Sequence, residues 1–163
     1  MPQTPSNPIQ LGSSLPDFVL PGPDGASITP ADFAGAPALL VAFISNRCPF
    51  VVLIREELAA YARDYAEKGV AVLAINSNDA TLYPEEAASE LAREASDHGY
   101  AFPYVKDATQ DVARAFRAAC TPDLFLYDGA GRLAYHGQFG SEAESRYVTA
   151  QDDGRDKARQ NVR

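Results

Sequence analysis

The chain has 163 residues and a formal net charge of −8, with 22 acidic against 14 basic side chains. Hydrophobic residues make up 46% of it, which suits one globular domain with a real core and excludes a disordered chain. An acidic surface repels phosphate backbones and anionic lipids, so we expect neither nucleic acid nor a membrane surface as a partner.

The first 14 residues are rich in proline, serine and asparagine, which predicts a flexible leader. They hold no basic region and no apolar stretch, so they do not resemble a secretory signal, and we expect a cytoplasmic protein. The longest apolar run, 38–44, is far too short to cross a bilayer. In a reducing compartment the two cysteines, Cys48 and Cys120, are expected to be inert core residues or chemically active thiols rather than a structural disulfide.

Strand and helix patterns alternate along the rest of the chain. Proline at a first helical position predicts helices beginning at Pro49 and at Pro84, and apolar spacing predicts a third helix around Val112. A short helical turn is expected at Asp32, and the turn residues 128–131 predict a hairpin. The predicted strands are 18–20, 38–44, 70–75, 102–105, 124–127 and 133–139.

This order predicts an α/β fold, a three-layer sandwich in which helices flank a central sheet. The terminal hairpin makes that sheet mixed rather than fully parallel. We place the domain at 15–147. Residues 148–163 are nearly all polar and predict a tail or a marginal helix.

Cys48 lies between a buried strand and a predicted helix start. A thiolate there faces free backbone N–H groups and the positive end of the helix dipole, which stabilise the nucleophilic anion. Arg47 adds a positive charge nearby, and Ser45 offers a hydroxyl to a group at the sulfur. The alternative is a buried cysteine that acts as a small hydrophobic residue.

Cys120 precedes a predicted strand, and Pro122 at the entry of that strand is a candidate cis-proline. On its own, Cys120 fits an inert turn residue as well as a functional one. An acidic loop with Asp79, Glu85 and Glu86 fits helix capping and solvation better than catalysis.

The sequence predicts no metal site and no cofactor. The two histidines, His98 and His136, have no metal-ligand spacing to a cysteine, and no glycine-rich phosphate loop is present.

Several segments together resemble the thioredoxin superfamily, in its redoxin branch of alkyl hydroperoxide reductase and thiol-specific antioxidant proteins. The cysteine and proline segments carry the resemblance, together with Leu15-Pro-Asp-Phe-Val-Leu-Pro, which looks like the opening motif of the family. Asn76-Ser-Asn-Asp79, Tyr83-Pro84-Glu85 and Gly137-Gln-Phe139 are similar to parts of a bacterial subgroup of thioredoxin family proteins.

The resemblance makes Cys48 the attacking cysteine and Pro122 the cis-proline that faces it. Thr121 and Cys120 then lie near Cys48, and Cys120 becomes a candidate resolving cysteine. Thioredoxins carry a second cysteine three positions after the first, where this chain has Val51, so no local disulfide can form. The expected substrate-binding residues are Pro49, Phe50, Thr121 and Pro122.

The chain also departs from its relatives. Val41 stands where peroxiredoxins have a proline, and Pro122 stands near the place of their peroxide-activating arginine. Ala42 replaces the buried acid of thioredoxins, and the polar tail replaces an apolar helix, so a second subunit in a homodimer could cover one sheet face.

We therefore expect a thiol-based oxidoreductase that acts by disulfide exchange or by peroxide reduction in cell redox homeostasis. Its partners would be a thiol reductant and a protein disulfide or a peroxide. Two alternatives stay open: a redox-inert binding module, which Val51 favours, and a sensor in which oxidation of Cys48 and Cys120 changes a partner surface.

Overall fold

Seven strands and three α-helices lie within residues 6–137, the part of the chain that the structure, a computed structural model, describes. The strands are β1 (Leu20–Pro21), β2 (Ser27–Ile28), β3 (Ala38–Phe43), β4 (Val70–Asn76), β5 (Tyr104–Lys106), β6 (Asp123–Asp128) and β7 (Leu133–Gly137). The helices are α1 (Pro49–Ala66), α2 (Ala88–Asp97) and α3 (Asp111–Phe116). Short 3-10 turns form at Pro30–Phe33 and Pro84–Glu86.

A five-stranded sheet in the order β5-β4-β3-β6-β7 forms the middle layer. β3, β4 and β5 run parallel, while β6 pairs antiparallel with β3 and β7 pairs antiparallel with β6. The predicted α/β sandwich with a mixed sheet and a terminal hairpin is confirmed. β1 and β2 form a separate two-stranded ribbon. The strand predicted at 18–20 is shorter than expected: it begins two residues later, at Leu20, and ends at Pro21.

Side chains of β3 alternate between two cores because successive residues of a strand point to opposite faces. Leu40 and Ala42 pack in the core beneath α1 and α2, together with Leu58. Val41 and Phe43 pack in the second core, beneath α3. Both faces of the sheet are therefore covered, which explains why β3 is apolar at every position.

The helix predicted to begin at Pro84 is interrupted. Pro84–Glu86 forms a single 3-10 turn, and Ala87 then takes an extended backbone with ψ of 154° before α2 begins at Ala88. The proline signal therefore marks a turn rather than the start of the longer helix. This break turns the side chain of Glu86 towards the interior, where it is fully buried.

The predicted loose leader is wrong for residues 6–14. Ile9 and Leu11 pack against the second core, and the backbone N–H of Gly12 donates to the carbonyl of Leu133 at 2.7 Å. The N–H of Leu133 returns a bond to the carbonyl of Ser13 at 2.8 Å. The segment thus pairs with the exposed edge of β7, whose unpaired backbone groups need partners.

The end of the strand predicted to reach Phe139 and the polar tail predicted at 148–163 both lie outside the described residues. Within 6–137, no helix has the length and apolar character needed to cross a membrane.

Candidate active site at Cys48

Cys48 occupies the N-cap position of α1, immediately before Pro49 at the first helical position. Its backbone N–H donates to the hydroxyl oxygen of Ser45 at 2.9 Å, and Ser45 is itself buried. Cys48 therefore lies at the end of α1 where the N–H groups of the first turn have no helical partner, although its side chain makes no capping bond to them. Ser45 acts here through the backbone of Cys48, and its hydroxyl can still donate a hydrogen bond of its own.

Cys48 contacts the loop of Thr121 and Pro122, which lies far from it in sequence. The Cys48 thiol donates to the carbonyl oxygen of Thr121 at 3.2 Å, 73 residues away in sequence. The peptide bond between Thr121 and Pro122 is cis, as the resemblance implies. A backbone carbonyl and a proline thus form one wall of the site, and the half-buried sulfur lies against them.

Cys120 faces a different environment. Its sulfur lies 3.8 Å from the Pro122 carbonyl oxygen and 4.0 Å from the Ser6 hydroxyl. It lines a cavity of about 410 Å³ with Phe43 and Ala118, whereas Cys48 packs against the core on the α1 side. Both cysteines are in the thiol form. The structure therefore brings Thr121 to Cys48, while the resolving role of Cys120 stays a prediction.

Arg47 points its guanidinium at the loop that follows β4. Its Nε lies 2.9 Å from an Oε of Glu85, and its guanidinium carbon lies 3.7 Å from the centre of the Tyr83 ring. Glu85 therefore compensates the positive charge that was expected to activate the sulfur. Activation of Cys48 by Arg47 stays a prediction.

Apolar side chains are exposed around the cysteine. Pro49 is exposed and Phe50 is half-buried, so both are accessible to a substrate, as their predicted role requires. Within residues 6–137, five large hydrophobic residues are exposed, and four of them fall in two short segments, 52–53 in the first turns of α1 and 82–83 beside Arg47. Leu53 is the most exposed of them, at 76%.

Glu86 was expected to be a solvated or capping residue, and this expectation is wrong. Its side chain is 0% exposed, and its carboxylate accepts bonds from the backbone N–H groups of Asn46 and Arg47, both at 3.1 Å. It also accepts from the side-chain amides of Asn76 at 2.5 Å and Asn78 at 3.5 Å. These partners lie eight to forty residues away in sequence, so local helix-capping patterns could not reveal them.

Two residues of β5 complete this buried cluster. The Tyr104 hydroxyl donates to the Asn46 side-chain carbonyl at 3.0 Å and accepts from the Asn76 amide at 3.1 Å. Burial raises the pKa of Tyr104 far above its ordinary value, so the hydroxyl keeps its proton. The Lys106 ammonium donates to Asn76 and to the carbonyls of Asn78 and Glu86. Burial lowers the pKa of Lys106, and the negative charge of Glu86 opposes that shift.

A second buried carboxylate, missed in the sequence, anchors the loop of Cys120. Asp123 is 0% exposed and accepts from the backbone N–H of Ala119 at 3.0 Å and from the Ser6 hydroxyl at 2.8 Å. The Nε2 of His136 lies 2.8 Å from the same carboxylate, and its ring stacks on Phe125. Asp123 follows Pro122 directly, and this adjacency was the only sequence signal of its place.

Comparison with known proteins decides the family. The family model of the AhpC/TSA family matches residues 11–136. The chain belongs to the AhpC/TSA family. Solved thioredoxin-like structures at lower identity share its fold, which confirms the thioredoxin-like architecture.

Individual proteins are similar to this AhpC/TSA chain over most of its length. A hypothetical protein from Sinorhizobium meliloti 1021, known from a crystal structure, is 53% identical in sequence to this chain. The two structures match with a TM-score of 0.89, and the match covers 94% of this chain and 90% of that one. An uncharacterized conserved protein from Geobacillus kaustophilus is 38% identical, with a TM-score of 0.89 over 95% of this chain and 88% of that one. The thiol-disulfide oxidoreductase ResA of Geobacillus thermodenitrificans (strain NG80-2) is 27% identical over 77% of this chain and 67% of its own length.

The AhpC/TSA family and the ResA match support an oxidoreductase role for this chain. The described residues contain no group of three or more histidine, cysteine, aspartate or glutamate side chains that could hold a metal ion. The site combines a half-buried thiol, a backbone carbonyl and a helix N-terminus.

Proposed function

We propose that this AhpC/TSA family chain is a thiol–disulfide oxidoreductase in which Cys48 is the nucleophile. One observation carries the proposal: the Cys48 sulfur lies at the N-cap of α1 and 3.2 Å from the carbonyl of Thr121, beside Pro122. The helix end favours the thiolate. The backbone of Thr121 and Pro122 offers an edge along which an extended substrate segment can bind.

The reaction consists of two exchanges. The Cys48 thiolate attacks one sulfur of a substrate disulfide, forms a mixed disulfide with it and releases the other substrate sulfur as a thiolate. A second thiolate, from Cys120 or from an external thiol, then attacks the Cys48 sulfur and releases the remaining substrate thiolate. The substrate disulfide gains two electrons, and Cys48 ends the step in a disulfide with the second thiol.

Three observations favour disulfide exchange with a protein. The charge of Arg47 is compensated by Glu85, and the wall of the site is a backbone carbonyl. Exposed apolar side chains lie at 52–53 in the helix that Cys48 caps and at 82–83 in the segment whose Tyr83 contacts Arg47. Apolar patches of this kind are typical of protein contacts. The similarity to ResA, a thiol-disulfide oxidoreductase, points the same way.

Peroxide reduction is the second candidate. Ser45 and Cys48 keep the Ser-x-x-Cys spacing of peroxiredoxins, and the matched family model includes thiol-specific antioxidant proteins. There the thiolate attacks one peroxide oxygen, becomes a sulfenic acid and releases hydroxide, which a proton converts to water.

One experiment separates these reactions. Reduced protein is treated with one equivalent of hydrogen peroxide or of a protein disulfide, the free thiols are blocked, and the intact mass is measured. Two blocked thiols after peroxide, together with a mixed disulfide or a Cys48–Cys120 disulfide after the protein disulfide, support exchange. Peroxide that removes both thiols and lowers the monomer mass by two hydrogen atoms supports a two-cysteine peroxidase. Inert thiols in both arms overturn the proposal and favour a binding module.

A further inference from the structure

The loop that precedes Cys48 is held from inside the protein. Asn46 and Arg47 donate their backbone N–H groups to the two oxygens of the Glu86 carboxylate. The side-chain amide of Asn46 donates to the carbonyls of Glu85 and Glu90, which ties the same loop to the start of α2. We call the hydrogen-bonded set around Glu86 the clamp; it consists of the buried residues Asn76, Glu86 and Tyr104 and the partly buried residues Asn46 and Lys106.

Burying the Glu86 carboxylate inside the clamp has a free-energy cost for folding. A carboxylate with no exposed surface loses its hydration and persists only when donors replace the lost water. All four bonds of Glu86 come from N–H donors, so the carboxylate acts as an acceptor only. Two of those donors are consecutive backbone groups directly before the cysteine. The contacts of Glu86 thus converge on the loop that carries the sulfur.

We propose that Glu86 is a positioning residue for the Cys48 thiol. By fixing Asn46 and Arg47, its carboxylate holds Cys48 at the helix N-terminus, with its N–H on Ser45 and its sulfur on the Thr121 carbonyl. The inference rests on the proposed function only in that Cys48 is the reacting thiol. Tyr104 supports the same loop through the side chain of Asn46.

Two effects of Glu86 on the thiol have opposite signs. As a positioned acceptor, Glu86 favours the thiolate because it holds the loop that places Cys48 at the N-cap of α1, the positive end of the helix dipole. As a negative charge in the same region, it disfavours the thiolate. Replacement by glutamine removes the charge and places an amide where two N–H donors point, so at least one donor loses its acceptor.

The test measures alkylation of Cys48 by iodoacetamide as a function of pH. A Cys120→Ser background ensures that only Cys48 is labelled. If positioning dominates, Glu86→Gln moves the half-maximal rate upward by about one pH unit, which lowers the rate at neutral pH about tenfold. A profile that is unchanged, or that moves to lower pH because the charge is gone, overturns the proposal.

A control variant and a second variant of the clamp show whether a shift in the alkylation profile is specific to Glu86. Glu90→Gln removes a partly exposed carboxylate whose side chain pairs with Arg93, and we expect the unmodified profile. If Glu86→Gln does not fold, Tyr104→Phe decides: a smaller upward shift supports positioning, and no shift overturns it. The assay contains no disulfide substrate, so a failure of the proposed function, seen as no turnover in the parent protein, is distinguishable from a failure of this inference.

Discussion

The loops that carry Cys48 and Cys120 are held in the same way but present their sulfurs differently. In each, a carboxylate with no exposed surface accepts from backbone N–H groups of the loop: Glu86 from Asn46 and Arg47, and Asp123 from Ala119. Cys48 then begins an 18-residue helix, whereas Cys120 leads into strand β6. Only the first sulfur lies at a helix N-terminus.

The comparison separates two requirements of a reactive thiol. Anchoring of the loop fixes where a sulfur lies, and both loops have it. A helix N-terminus favours an anion, and of the two cysteines only Cys48 lies at one. We therefore assign the first chemical step to Cys48 and at most the second to Cys120.

The largest expected effect is on the reaction rate, and it tests whether Cys48 rather than Cys120 carries out the first chemical step. Cys48→Ser should abolish reaction with a small aromatic disulfide that releases a coloured thiolate, since a serine hydroxyl does not replace the thiolate nucleophile. Cys120→Ser should keep the first stoichiometric release because that attack needs only Cys48. The absorbance burst in single turnover measures both. A burst in Cys48→Ser that matches the parent protein would reverse the assignment.

Among the stability effects, the largest loss is expected from weakening the bonds of Asp123 to the loop that carries Cys120. Asp123→Asn leaves Ala119, Ser6 and His136 facing a weaker, uncharged partner, and we expect a loss of about 3 kcal/mol in the free energy of unfolding. Urea denaturation measures it, with exposed Asp64→Asn as the matched control. A loss no larger than that of the control would show that the anchor is dispensable.

Two tyrosines near the Cys48 loop, the buried Tyr104 and the partly buried Tyr100, sharpen the comparison. Their ring centroids lie 5.9 Å apart, but the Tyr104 hydroxyl bonds Asn46 and Asn76, while the buried Tyr100 hydroxyl has no hydrogen-bond partner among the described residues. Tyr104→Phe should therefore lower the free energy of unfolding by about 1 kcal/mol, and Tyr100→Phe should be neutral or stabilising. Equal losses in thermal or urea unfolding would contradict the network.

The smallest effect is expected at the surface ion pair. Glu85→Gln releases Arg47, and because both side chains are largely exposed, stability should change by less than about 1 kcal/mol. The rate of Cys48 alkylation should stay within about twofold if the guanidinium does not act on the sulfur. A clear acceleration would instead support the predicted activation of the thiol by Arg47, held in check by Glu85.

The sequence was sufficient to predict the features of the molecule that depend on local patterns. The apolar run of β3, the proline at the start of α1 and the proline of the cis peptide bond are each visible within a few residues. Glu86 and Asp123 were missed because their roles come from partners in other elements, which meet only after folding. A glutamate in a polar loop has the same local pattern whether its side chain turns outward or, after the break at Ala87, inward.

The N-terminal segment has a practical consequence for anyone who trims this protein. Composition alone invites a boundary at about residue 15, yet Gly12 and Ser13 bond the backbone of Leu133 at the start of β7, and the Ser6 hydroxyl donates to Asp123. A version cut at that boundary would expose a bare strand edge to self-association and would remove one donor from the carboxylate beside the proline loop. Expression vectors and fusion tags should therefore leave the segment from Ser6 onward intact.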